Sequence, residues 1–251
     1  MSRYAFAWPL HGTGRLLLMS VITLSVVASV DASELRAFEA TYDVYIDGKA
    51  QGRSDMRLLE ETPGHWLHTV EAKGTSGLAR LSGFTATQTT RFQIVDGRPR
   101  LHSAQAKSEY LIRSREVNTQ FDWEAGVARW EGDLNDDQRA PTPLSERAVN
   151  AALLNVLLAV DSTAAATTSK LEYRLFERGS AEVVDYVVGP AATIKVPAGE
   201  FEAVPLRGER PAKKRVITAW YAANLPPTPV RLQQIEEGKP SYELKLVSVT
   251  P

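Results

Sequence analysis

Apolar and polar side chains alternate along this chain with a period of two, and that pattern limits the fold more than any other feature. Phe38, Ala40, Tyr42, Val44 and Ile46 alternate with Glu39, Thr41, Asp43 and Tyr45. An extended strand puts successive side chains on opposite faces, so one face can be buried and the other left in water. Asp47-Gly48 follows, a pair suited to a two-residue hairpin turn, and a second strand begins near Gln51. Pro63-Gly64 then leads into Trp66, His68, Val70 and Ala72. Thr85 to Val95 stops at Asp96-Gly97, and Arg100 to Ala106 continues the pattern. Val117, Thr119, Phe121 and Trp123 share one face, and Glu124-Ala125-Gly126 turns the chain into Val127 to Trp130. Strands separated by such short turns indicate an antiparallel meander.

One segment departs from this rhythm. Thr142 suits an N-cap, Pro143 suits the first helical position, and Val149, Leu153, Val156, Leu157 and Val160 fall on one helical face. The pattern predicts a helix over Pro143 to Val160 that is too short in its apolar part to cross a bilayer and packs on the sheet. Asp161 to Ser169 reads as a Thr/Ala/Ser linker. Strands then resume at Leu171–Glu177, Val183–Val188, Thr193–Val196, Phe201–Arg207, Arg215–Tyr221, Thr228–Ile235 and Tyr242–Val249. The expected architecture is mainly β: a single large curved antiparallel sheet, or an open, incomplete barrel, with one packed α-helix at about 143–160.

The start of the chain is of another kind. Arg3 and Arg15 precede an apolar run from Leu16 to Ala28, and Val30-Asp31-Ala32 offers a cleavage junction. Residues 1–32 therefore read as a secretory signal peptide. Residues 33–251 are expected to form a single exported β-rich domain, with a subdomain division near 161–169 as the alternative. The sequence has no cysteine. It thus lacks the lipid-attachment cysteine of a bacterial lipoprotein, and a soluble mature form without a transmembrane anchor is expected. Without Arg3, Arg15 and Asp31 the net charge is −2. That balance speaks against a dedicated nucleic-acid binder, which needs a strong basic excess.

Few residues carry recognisable chemistry. His65 and His68 are three apart, which on a strand puts their rings on opposite faces, and no cysteine completes a zinc set. Asp133-Leu134-Asn135-Asp136-Asp137 opens like a calcium loop, but Gln138 and Leu144 stand where Gly and Glu are needed. Gly74-Thr75-Ser76-Gly77 lacks the final glycine of a nucleophile elbow, with Leu78 in its place. No phosphate-cradling glycine motif occurs. No cofactor, metal or catalytic residue is expected, and a hydrolase with an unrecognised site ranks third among the functional readings.

Two groups remain as candidates for binding. Trp66, Trp123, Trp130 and Trp220 could line an apolar groove on the concave face of a curved sheet. Arg207, Arg210, Lys213, Lys214 and Arg215 form a basic run that could meet an anionic partner. The first group favours binding of a lipid or other amphiphile of the cell envelope. The second, or a sheet edge, favours a non-enzymatic module docking onto an envelope protein.

Several segments together carry a family resemblance: Phe38 to Tyr45, Phe92 to Pro99, Phe121 to Gly126, Val196 to Val204 with its Pro197-Ala198-Gly199 turn, and Trp220-Tyr221-Ala222 leading to Pro229-Val230-Arg231-Leu232. In order and spacing this chain resembles the exported bacterial domain-of-unknown-function family numbered thirty-one hundred and eight, from about Phe38 to Val249. The resemblance implies a periplasmic, mostly antiparallel β protein and no established activity, so no catalytic residue carries over. Asn224-Leu225-Pro226-Pro227 replaces the glycine-bearing turn expected before Pro229.

Overall fold

The computed structural model describes residues 35–251; the leader expected over residues 1–32 lies outside them. Among the described residues, sixteen strands run in chain order. They are β1 (Phe38–Ile46), β2 (Lys49–Thr62), β3 (His65–Gly74), β4 (Thr85–Val95), β5 (Arg98–Tyr110), β6 (Arg113–Asp122), β7 (Val127–Gly132), β8 (Thr142–Pro143), β9 (Ala148–Val149), β10 (Lys170–Glu177), β11 (Ser180–Val188), β12 (Ala192–Val196), β13 (Gly199–Arg210), β14 (Arg215–Tyr221), β15 (Arg231–Glu236) and β16 (Lys239–Thr250). Two α-helices interrupt them, α1 (Gly77–Leu81) and α2 (Ala151–Ala164).

All sixteen strands belong to one sheet, ordered β8-β7-β6-β5-β4-β3-β2-β1-β16-β15-β14-β13-β11-β10-β9, with β12 paired to β13. Neighbours are antiparallel except β9 and β10, which run parallel, so the sheet is mixed. The hairpins use the turns their sequences favour. Asp47 and Gly48 have φ of 49° and 75°, Asp96 and Gly97 of 50° and 70°. Both central residues thus adopt the left-handed conformation that matches strand twist. At Asn224–Pro227 the turn forms without glycine, through bonds from Leu225 N–H to the Ala222 carbonyl (3.1 Å) and from Thr228 N–H to the Pro226 carbonyl (2.6 Å).

The sheet curls until its ends meet without closing into a barrel. Its two edges, β8 and β9, are two residues each and are separated by only four residues of chain. Side chains, not a strand ladder, close the seam. Phe176 of β10 meets Phe121 edge-on (5.7 Å) and stacks on Trp130 (6.5 Å), both from the opposite end of the sheet. Gly179 lies against the backbone of Gln138, where a Cβ would sit 2.2 Å from the Gln138 carbonyl oxygen.

The helix inside the curl corrects three sequence expectations. Thr142 and Pro143 pair with Ala128 and Val127 as β8 instead of starting a helix. The N-cap is Asn150, whose side-chain oxygen accepts from Leu153 N–H (2.9 Å) and whose amide donates to Thr90 Oγ1 of β4 (2.6 Å). The helix also runs on to Ala164, through residues expected to form a linker. Its apolar surface is not one face: Ala152, Leu153, Leu154 and Val156 to Val160 are all buried. α2 touches β3, β4, β10, β13 and β14, so sheet surrounds it on several sides. A helix apolar all round belongs in such a place.

Candidate functional site

Inward side chains change in size along the barrel-like interior. Met56, Leu58, Trp66, His68, Phe92 and Leu101 fill one stretch. Toward the N-terminal end of α2 the inward positions shrink to Gly52, Ser54, Ala72, Gly74, Ala86, Ala104 and Ala106. The interior is left partly empty there. A cavity of about 490 Å³ lies between the start of α2 and the inner face of the sheet. Val44, Met56, Val70, Ile217, Leu232 and Leu244 form its apolar wall, and Ala151, Ala152 and Asn155 of α2 its floor. A neighbouring hollow of about 610 Å³ shares Ala86, Gln88, Ala151 and Glu177 with it. Together they form the mouth at one end of the curled sheet.

An ion-paired cluster lies on one side of this mouth. Arg210 is only 7% exposed and binds Glu177 at 2.7 Å and also Glu182. Lys213 reaches Glu177 at 2.9 Å, and Arg215 reaches Glu236 at 3.2 Å. Burial raises the Glu177 pKa, but Lys213 and Arg210 outweigh it and hold the carboxyl below its ordinary range. Arg210 and Arg215 sit opposite one another on β13 and β14, and both line the cavity. The mouth is therefore an apolar-walled chamber with an ion-paired flank at Arg210 and Arg215, and further charged side chains, among them Arg53, Lys73, Arg113 and Arg115, along its border. That arrangement suits a molecule with a long apolar part and a polar end.

The candidate residues read from sequence do not assemble into one site. Trp130 lines the larger hollow, with its indole N–H donating to Thr142 Oγ1 (3.0 Å). Trp66 is buried in the core, and its indole nitrogen has no hydrogen-bond partner. Trp123 lies just past β6, donates to the Leu101 carbonyl (2.6 Å) and has Arg100 over its ring at 5.1 Å. Trp220 alternates with buried Ala219 and Tyr221 and faces outward beneath Arg231, 4.9 Å away. A groove built from all four is thus not what the fold provides. The basic run also divides. Arg210 and Arg215 point inward, Arg207 faces out and pairs with Glu209, and Lys214 lies 3.4 Å from Glu237. All five cations have a glutamate partner in the chain.

His65 and His68 fall on opposite sides of β3, His65 exposed and stacked on His102 at 6.1 Å, His68 buried. Among the described residues, no group of three His, Asp or Glu side chains is placed to hold a metal ion. No described helix is long and apolar enough to cross a membrane.

The family described as Protein of unknown function (DUF3108) matches residues 41–246. The chain belongs to this family. No curated protein matches the DUF3108 chain. Among solved structures it is similar to a beta-barrel-like protein of domain of unknown function DUF1849 from Brucella abortus, at 11% identity and a TM-score of 0.52, over 86% of this chain and 98% of that one. It is also similar to a candidate exported protein with a YMCC-like fold from Bacteroides fragilis, at 13% identity and a TM-score of 0.35, over 85% and 95% of the two chains. At these identities the likeness concerns the fold alone, and the DUF1849 protein carries it. This DUF3108 member shares with it the barrel-like curl, so the chamber at the mouth, not an inherited motif, bears the question of function.

Proposed function

We propose that this protein is exported to the periplasm and binds an apolar or amphiphilic molecule of the cell envelope in the chamber at the mouth of the curled sheet. It acts as a binding protein and not as an enzyme. The observation that supports this most is the cavity itself: about 490 Å³, walled by Val44, Met56, Val70, Ile217, Leu232 and Leu244. Chambers of this size and lining are typical of sites for small apolar ligands. The ion-paired flank of Arg210 and Arg215 gives a polar end to the same space. Docking of an envelope protein through a sheet edge has less to support it, because β8 and β9 offer two residues each.

Native mass spectrometry of the protein purified from its own periplasm, followed by solvent extraction, tests the proposal. A co-purifying lipid or other amphiphile at about one per chain is expected. A protein that carries nothing extractable, and takes up nothing when incubated with total envelope lipid, overturns the reading.

A further inference from the structure

Four large apolar side chains stand in water beside the mouth. Ile112 is 98% exposed, Leu78 81%, Leu111 76% and Leu81 72%. Single exposed leucines are ordinary and need no explanation. These four form one surface built from α1 and the β5–β6 turn. Leu111 N–H donates to the Ser82 carbonyl (2.9 Å), just past α1. The Leu111 side chain lies over Gly83, where a Cβ would come within 3.0 Å of it. Tyr110 packs on Phe84 at 5.2 Å, and Phe84 in turn lines the cavity. The rim is therefore joined to the chamber but lies outside it.

Charge around the rim has one sign to spare. Lys73, Arg80, Arg113 and Arg115 are exposed there. The acids on the adjoining strand ends are engaged by other groups, Glu109 by Lys107 at 2.8 Å and Glu116 by the side-chain amides of Gln105 and Asn118. Among the described residues, these four cations form no ion pair, unlike the five of the β13–β14 run. Apolar side chains on two short turns, flanked by unpaired cations, match an anionic bilayer surface. The apolar groups enter the acyl boundary while the cations meet lipid phosphates.

We infer that the mouth of the sheet docks onto an anionic phospholipid bilayer through Leu78, Leu81, Leu111 and Ile112. This inference goes beyond ligand binding and does not depend on what occupies the cavity. The chain has no cysteine, so Ile112→Cys gives a single labelling site for an environment-sensitive dye. Ala125→Cys, exposed beyond the other end of β6, serves as the control about 33 Å away for ten residues of strand.

The exported protein, its N-terminus read by mass spectrometry, is floated with vesicles of phosphatidylethanolamine and phosphatidylglycerol, and with phosphatidylcholine alone. Binding to the anionic vesicles is expected, with a blue shift of the dye at position 112 and none at 125. The Leu111→Ser/Ile112→Ser variant should bind more than about tenfold more weakly. Arg113→Gln and Arg115→Gln should each weaken binding about fivefold. Unchanged melting temperatures establish that the variants are folded; should Leu111→Ser/Ile112→Ser unfold, the two labelled variants decide. A wild-type protein that ignores anionic vesicles, a double variant that binds as well as wild type, or equal shifts at 112 and 125 overturns the inference. So does recovery with a soluble protein in place of vesicles. The double-variant and dye outcomes do not bear on cavity occupancy, since Leu111 and Ile112 do not line it, whereas Arg113 and Arg115 border the larger hollow and are read only beside those two.

Discussion

Two inward residues show how single side chains hold the curl. The Tyr42 hydroxyl sits 2.6 Å from Thr228 Oγ1 and donates to the Pro229 carbonyl (2.8 Å), tying β1 to the segment that precedes β15. Burial raises its pKa well above the ordinary phenol value, so it stays a neutral donor at any physiological pH. Tyr42→Phe should remove about 1–3 kcal/mol of stability by leaving buried polar groups unpaired, read as a lower urea midpoint at unchanged slope. A midpoint equal to wild type would mean that this tether contributes nothing. His68 gives a pH signature. Burial pushes its pKa down to about 4, from 6.5. The unfolded chain therefore binds a proton that the folded chain does not, between those two values. Stability should fall as pH drops from about 6.5 to 4, by up to about 3 kcal/mol, and the His68→Phe variant should lose this part of the slope. An identical pH profile in the variant would place the slope elsewhere. Alternation in the sequence was enough to put both residues on the inner face. It could not identify their partners, because Tyr42 and Thr228 are 186 positions apart.

Elements were legible where their signals are local. The hairpin at Asp47-Gly48 and the strand at Arg215–Tyr221 fall where pattern and turn chemistry place them. The start of α2 does not, because Thr142-Pro143 carries a local helix-start signal while β7 offers that segment a strand partner. Asn150, which falls inside the helix expected over Pro143 to Val160, is the cap. α1, at five residues, has only the Leu78–Leu81 spacing to mark it in the sequence. The buried position of α2 makes a plain prediction. Leu157→Asp should cost about 4 kcal/mol, since it puts an unpaired carboxylate in the core, and the loss should appear in thermal unfolding. A mutant as stable as wild type would show that α2 is not docked inside the sheet.

At the scale of the molecule, curvature was foreseeable and the chamber was not. A large antiparallel sheet must twist and curl. Where the interior stays empty depends on inward positions drawn from many strands at once. Its trace in the sequence is the row of small residues, Gly52, Ser54, Ala72 and Ala86, which lie at the same end of adjacent strands only once register is known. Large side chains fill a core and leave a cavity elsewhere, so of Trp66, Trp123, Trp130 and Trp220 only Trp130 borders the mouth. The central claim is that this emptiness is a binding site, and Ala86, which borders both hollows, allows a direct test. Titration of a fluorescent long-chain fatty acid into wild type and Ala86→Trp, with melting temperatures checked for both, is the measurement. The account predicts saturable uptake of about one probe per chain, weakened by at least about tenfold when the indole fills the space. No saturable uptake by wild type, or equal uptake by a folded Ala86→Trp, would contradict it.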